Sequence, residues 1–210
     1  SASDLEFTLD GIQTFRTERE VLGLGYNTQL VKAADLPNTW QELINSKWAG
    51  KVVVDPRGSY LSGLAVAWGQ DQTVSWFQQL LQTDKPNVVK GATASMQKIE
   101  SGEALLTTSS HDSETAEQQA KGAPVAIKYL DVVPTTDYYA AIMKNAPHPN
   151  AAACFLAWWG SPDGQATMFK NEFKRNLTDP PGLPAGAKLV PINTPDQAKV
   201  ANSTADALAK

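Results

Sequence analysis

One cysteine and two histidines in 210 residues leave little room for chemistry built on sulfur or imidazole. With Cys154 alone, no disulfide can close within the chain. Its place in the apolar run from Ala151 to Trp159 predicts a buried small hydrophobe. A closed zinc site would need oxygen-rich ligation, and no ligand spacing points to one. Long hydrophobic runs are absent as well: no stretch approaches the roughly 20 apolar residues that cross a bilayer, so no direct membrane insertion is expected. Charge of one sign is also lacking. Eighteen basic and 22 acidic residues give a net −4 without a Lys/Arg cluster, which argues against nucleic acid and anionic lipid as partners. No Gly-rich Lys-Ser/Thr loop occurs, and Gly23-Leu24-Gly25 is too short for a dinucleotide fingerprint. There is no internal repeat and no signal peptide. Ser1-Ala2-Ser3 does not read as a natural start, so a mature or trimmed chain is expected.

What is present is a core and a rhythm. Hydrophobic residues make up 42% of the chain, enough to fold. From Thr39 to Ser59 the pattern predicts a short helix at Thr39–Ile44 capped by Thr39, a turn at Gly50, and a buried parallel strand at Lys51–Val54. The loop Asp55-Pro56-Arg57-Gly58-Ser59 follows, then a helix from Tyr60 to Trp68. Two more strand–loop–helix units are expected. One has strand 87–90, loop Gly91-Ala92 and helix 93–100. The other has strand 104–107, loop 108–112 and helix 113–121. A helix at 71–82 lies between the first two units. Val21 to Asn27 reads as a Gly-punctuated strand, and 126–129 and 138–143 as further strands flanking a hinge at Pro134-Thr135-Thr136-Asp137. Pro149 opens a helix ending at Gly160, and Ser161-Pro162 starts another. From Thr178 onward the Pro- and Gly-rich tail is expected to wrap the surface. Strands alternating with helices predict an α/β sheet with parallel character.

Two segments carry a family resemblance. "Thr-Trp … Lys-Trp-Ala-Gly-Lys-Val" (Thr39 to Val52) and "Ala-Pro-His-Pro-Asn-Ala-Ala … Ser-Pro-Asp-Gly-Gln" (Ala146 to Gln165) resemble the extracellular solute-binding proteins of ABC importers. The chain looks most like the ferric-iron-binding group of the type II periplasmic binding fold. The resemblance runs from about Val21 to Pro195. It implies one complete α/β lobe at residues 34–131, with residues 1–33 and 132–210 supplying crossover strands and the C-terminal part of a second lobe. The N-terminal part of that lobe looks missing, which would expose apolar surface and invite self-association. It further implies a binder rather than an enzyme, located in the periplasm or outside the cell, partnered by ABC permease subunits and needing no cofactor. A ligand-sensing domain of the same fold is an alternative.

In such sheets ligands sit beyond the carboxyl ends of the strands. Three loops there concentrate small hydroxyl residues, helix N-termini and one guanidinium, a composition suited to a small anionic solute. The candidate ligand-binding residues are Arg57, Gly58, Ser59, Thr93, Ser95, Ser109, Ser110 and His111, with Tyr138 from the return strand. Ferric-binding relatives use adjacent tyrosines after the third strand of this lobe; the resemblance puts the matching positions here at Ser109 and Ser110 or their immediate neighbours, and none of these is tyrosine. No metal ligands are therefore assigned, and ferric iron with a synergistic anion is the alternative cargo. Tyr138 and Tyr139 are neighbours on a strand and point to opposite faces, so they cannot chelate one ion together. Ser110-His111-Asp112 holds triad residue types, but contiguous residues rarely reach triad geometry. His148, between two prolines, is read as structural, and Trp68, Trp76, Trp158 and Trp159 as packing.

Overall fold

The computed structural model describes residues 6–9, 12–175 and 179–209; Ser1 to Ser3 and Thr178 lie outside the described residues. One long strand organises it. The first half of β2 (Ile12–Asn27) lies between β1 (Glu6–Leu9) and β7 (Val132–Ala140). Its second half lies between β5 (Leu106–His111) and β6 (Val125–Lys128), and it is antiparallel to all four. Beyond β5 come β3 (Val52–Val54) and then β4 (Asn87–Val88), both parallel; beyond β7 comes β8 (Lys188–Pro191), also parallel. The sheet order is therefore β4-β3-β5-β2-β7-β8, with β1 and β6 pairing opposite ends of β2.

The parallel part follows from β-branched residues that need cover on both faces. Val52, Val53 and Val54 are wholly buried. Each contributes roughly 1.5–3 kcal/mol by leaving water. Cover comes from α1 (Leu64–Trp68), α2 (Gln70–Asp84), α3 (Ala92–Glu100) and α4 (Asp112–Ala120). Trp40 anchors the main core: it is fully buried, its indole donates to the Val132 carbonyl at 2.8 Å, and Trp76 stacks edge-on at 6.0 Å. Trp76 in turn donates to the Trp40 carbonyl at 2.9 Å, so two large apolar surfaces are buried with their polar handles satisfied. Asn27 ends β2 by reaching the Ile99 carbonyl at 2.6 Å while its own oxygen accepts from Gln29 and Leu30.

Several expectations change in the folded chain. The expected helix at 39–44 is a single 3-10 turn, Gln41–Leu43, although Thr39 does accept from the Glu42 N–H at 3.2 Å. The third unit is shifted: the expected loop 108–112 continues strand β5 to His111, because antiparallel pairing with Leu22 and Gly23 keeps those residues extended. The strand expected at 138–143 both starts and stops earlier, as β7 at Val132–Ala140, so residues 134–137, expected as a hinge, lie within it, and Thr135, Thr136 and Asp137 pair with Val21, Glu20 and Arg19. Nor does the tail simply wrap the surface. It supplies β8 and α7 (Pro195–Leu208), which starts with a full capping box at Thr194 and Gln197 and places Leu208 in the main core.

The remaining helices, α5 (Pro149–Trp159) and α6 (Pro162–Glu172), begin as expected, with proline in the first turn of each and Ser161 capping Gly164. Here Cys154 and Trp158 depart from the reading. Cys154 is exposed, Trp158 is 38% exposed, and no described residue of α5 is buried. The apolar composition of α5 is real, but no described element covers that face.

Candidate functional site

Where β2 passes from β5 to β7, its alternation puts Glu18, Glu20 and Leu22 on one face and Arg19 and Val21 on the other. The back face is structural. Arg19 grips Asp137 of β7 through two bonds, 2.6 and 2.7 Å, with Arg16 at 3.5 Å, and the Asp137 side chain is fully buried. The front face opens into a cavity of about 530 Å³, a size suited to a small solute. Its walls come from β2, the end of β5, the first turns before α1, the N-terminal half of α4, the middle of β7, and the segment after α6.

Registry explains the convergence. His111 pairs with Leu22, so Glu20 is its diagonal neighbour on one side; Tyr138 pairs with Glu18, so Glu20 is its diagonal neighbour on the other. The Tyr138 hydroxyl donates to Glu20 Oε2 at 2.8 Å, and His111 Nδ1 lies 3.7 Å from the same oxygen. Burial pushes the His111 imidazole down from its ordinary value despite Glu20, so it stands neutral, and its Nδ1 is buried without a hydrogen-bond partner. Tyr60 meets the His111 ring edge-on at 5.1 Å. Burial first, and then the bond to Glu20, push the Tyr138 phenol up.

The charge on these walls is mainly negative. Glu20, Glu114, Glu117 and Glu172 line the cavity against one ammonium, Lys174, which is itself 3.2 Å from Glu18. Burial pushes Glu114 up, and its Oε2 has no partner among the described residues. Lys174 reaches the cavity because Phe173 ends α6 in a left-handed turn (φ 56°), after which the Arg175 carbonyl accepts from the Arg19 N–H at 2.6 Å.

Of the residues singled out in the sequence, Ser59, His111 and Tyr138 line this cavity. Arg57 does not: its Nε and Nη2 are held by Asp55 at 3.0 and 2.6 Å. Burial pushes Asp55 up, but the bonds from Arg57 and the Gly91 N–H outweigh it and hold the carboxyl below its usual range. Gly58 is a packing position, since a Cβ there would sit 2.6 Å from Leu208 Cβ. Thr93 is exposed, and its side chain opposes the rise of the Glu114 carboxyl. Ser95 turns inward to the Gly91 carbonyl, 2.8 Å. Ser109 is buried within β5, and Ser110 is buried against Thr115 at 2.8 Å. These serines left the cleft because they belong to a strand and a helix interior rather than to loops. Asp112 accepts from the Val21 N–H at 2.9 Å, so Ser110, His111 and Asp112 each face different partners and form no triad.

Glu20, Tyr60, Glu114, Glu117, Glu172 and Lys174 were not singled out. Glu20 had a signal: Thr17-Glu18-Arg19-Glu20-Val21-Leu22 alternates as a strand with one acidic face, and the reading began that strand only at Val21.

A cleft between a parallel α/β unit and a second layer, joined by long strands, is the architecture of a type II periplasmic binding protein. The comparisons agree. Residues 3–183 match the family model described as bacterial extracellular solute-binding protein, and the chain belongs to that family. It is a family of solute binders rather than enzymes. A curated relative, iron uptake protein A1 of Synechocystis sp., is 25% identical over 165 residues, covering 71% of this chain and 46% of its own length. The chain thus spans about half the length of that relative. Among solved structures, iron-bound HitA of Pseudomonas aeruginosa shares the fold with a TM-score of 0.74 at 19% identity, over 100% of this chain and 74% of that one. Apo FutA2 of Synechocystis has a TM-score of 0.72 at 20% identity, over 99% and 72%.

Proposed function

We propose that this chain is the substrate-binding component of a bacterial ABC importer, acting in the periplasm or outside the cell and delivering its solute to membrane permease subunits. The solute is small and cationic. The observation that carries this is the charge of the cleft: four carboxylates against one ammonium around a cavity of about 530 Å³. An anion, the solute favoured by the loop composition, would meet those carboxylates while Arg57 is engaged by Asp55. Ferric iron stands first among cations to test, because a relative is named for iron uptake and a solved neighbour is iron-bound. Capture uses closure of two bodies, residues 34–131 on one side and 1–33 with 132–210 on the other, about β2 and β7, with α7 returning to the first body.

The test is a thermal-shift screen with ferric nitrilotriacetate, manganese, zinc, spermidine, phosphate, sulfate and citrate. A solute at a hundred times its dissociation constant adds about 2.7 kcal/mol. Stabilisation by cations and not by the anions is expected. Stabilisation by phosphate or sulfate alone would return the site to anions.

A further inference from the structure

We propose that the uncovered face of α5 is a homodimer interface. Two copies of this chain pair weakly through their α5 helices, antiparallel about a two-fold axis that passes between Cys154 and Phe155. The pairing is independent of which solute the cleft holds.

Three observations converge. The first is an exposed seam at helical spacing. Ala152, Leu156 and Trp159 form the partly covered side of α5, and Gly160 continues that side against the Phe15 ring. Ala151, Cys154, Phe155 and Trp158, spaced i, i+3, i+4 and i+7, form a separate stripe, and all four are exposed. The Phe155 and Trp158 ring centroids lie 5.8 Å apart, so the apolar surface is continuous, the kind that marks an interaction site.

The second observation is the order of sizes along the seam: small, small, large, large. A second copy turned end for end sets Trp158 against Ala151 and Phe155 against Cys154. Each ring then meets a small side chain at every level, as knobs meet holes. Parallel pairing would instead set Trp158 on Trp158 and Phe155 on Phe155, and leave a gap at Ala151. The seam is therefore complementary to itself in one direction only, which is what an isologous interface requires.

The third is charge. No residue of α5 is charged, so nothing on it repels its own copy across the axis. The nearest charged residues along the chain are Lys144 on the N-terminal side and Asp163 on the C-terminal side, both exposed. Antiparallel pairing brings these unlike ends together and opposes the two helix dipoles; parallel pairing brings like ends together. Area sets the strength. Phe155 and Trp158 each leave on the order of 100 Å² open. The four rings of a pair and their small partners stay below the roughly 1,200 Å² at which stable interfaces begin. The dimer is therefore weak, and dilute protein is monomeric with Cys154 free to react.

Sedimentation velocity of the full chain, run across protein concentration, is the test. Wild type should pass from monomer to dimer with a dissociation constant on the order of 100 μM. Ala151→Glu, which sets a carboxylate against Trp158 of the partner subunit, should weaken the dimer at least about tenfold. Ala153→Glu, exposed but off the seam, should not, and both variants should melt with wild type at dilution. A short bis-maleimide should join Cys154 to Cys154 of the partner subunit. In a Cys154→Ser chain, the thiols introduced by Ala151→Cys should not cross-link, because antiparallel pairing sets them about 10 Å apart along the axis. A chain that stays monomeric to millimolar concentration overturns the inference. So does a dimer that Ala151→Glu leaves intact, or one in which the Ala151→Cys thiols cross-link. If monomeric wild type instead binds phosphatidylcholine vesicles and Trp158→Ala does not, the face belongs to a lipid surface and the inference falls.

Discussion

Helices α1 and α5 are both apolar, yet only the first enters the core. Leu64 and Ala65 of α1 are buried beneath α2 and α7, while Phe155 and Trp158 of α5 are 51% and 38% exposed. The helix with the fewer residues is the better covered. An apolar stripe states what a segment can bury, and the neighbouring elements decide whether it does. Along β2 the halves differ in what holds them: the C-terminal half puts Leu22 and Leu24 among the buried apolar residues, and the strand before it is tied to β7 by the Arg19–Asp137 pair.

That contrast can be broken from its strongest side. Trp40→Ala should cost about 4 kcal/mol in urea denaturation, because it empties a fully buried volume and orphans the Val132 carbonyl. A loss below about 1 kcal/mol would show that the core is not where the buried residues place it. Next comes Asp137→Ala, expected to cost about 3 kcal/mol by leaving Arg19 and Arg16 without their buried counter-charge. Double substitution of Arg19 and Asp137 by apolar residues should recover part of that loss.

Asp112 sharpens the comparison by pH. Burial pushes its carboxyl up to about 6 from an ordinary 3.8, against the opposing bonds from the Val21 and Ser113 N–H groups. A carboxyl raised in the folded state contributes stability that is fully present below pH 3.8 and lost as the pH rises through about 6. Asp112→Asn keeps an acceptor for Val21 and carries no charge. It should therefore be more stable than wild type at pH 8, by on the order of 2 kcal/mol, and nearly equal to it at pH 4. Denaturation curves at the two pH values decide this, and an equal difference at both would remove the ionisation argument. The smallest effect is expected on α5: Trp158→Ala should change stability by no more than about 0.5 kcal/mol. Cys154 should react with a thiol reagent in the folded protein without prior unfolding, and protection of that thiol would mean the face is covered in solution.

Local chemistry was legible where it acts locally. The strand expected at Lys51–Val54, observed as Val52–Val54, and the helix starts at Pro149 and at Ser161-Pro162 are legible from adjacent residues. The end of β5 was not. Thr108, Ser109 and Ser110 carry loop-forming side chains, and only pairing with β2, about 85 positions earlier, holds them extended. His111 and Tyr138 are legible as single residues, whereas their common neighbour Glu20 lies just before the strand expected to begin at Val21.

The sequence by itself determined the α/β rhythm and the family, because hydrophobic period, caps and turn residues act over a few positions. Only the tertiary structure decided the sign of the cleft. Glu20, Glu114, Glu172 and Lys174 are spread over more than 150 positions of the chain, and they share one cavity because β2 joins β5 to β7. Charge in a site is a sum over space, and strand order sets which residues enter that sum.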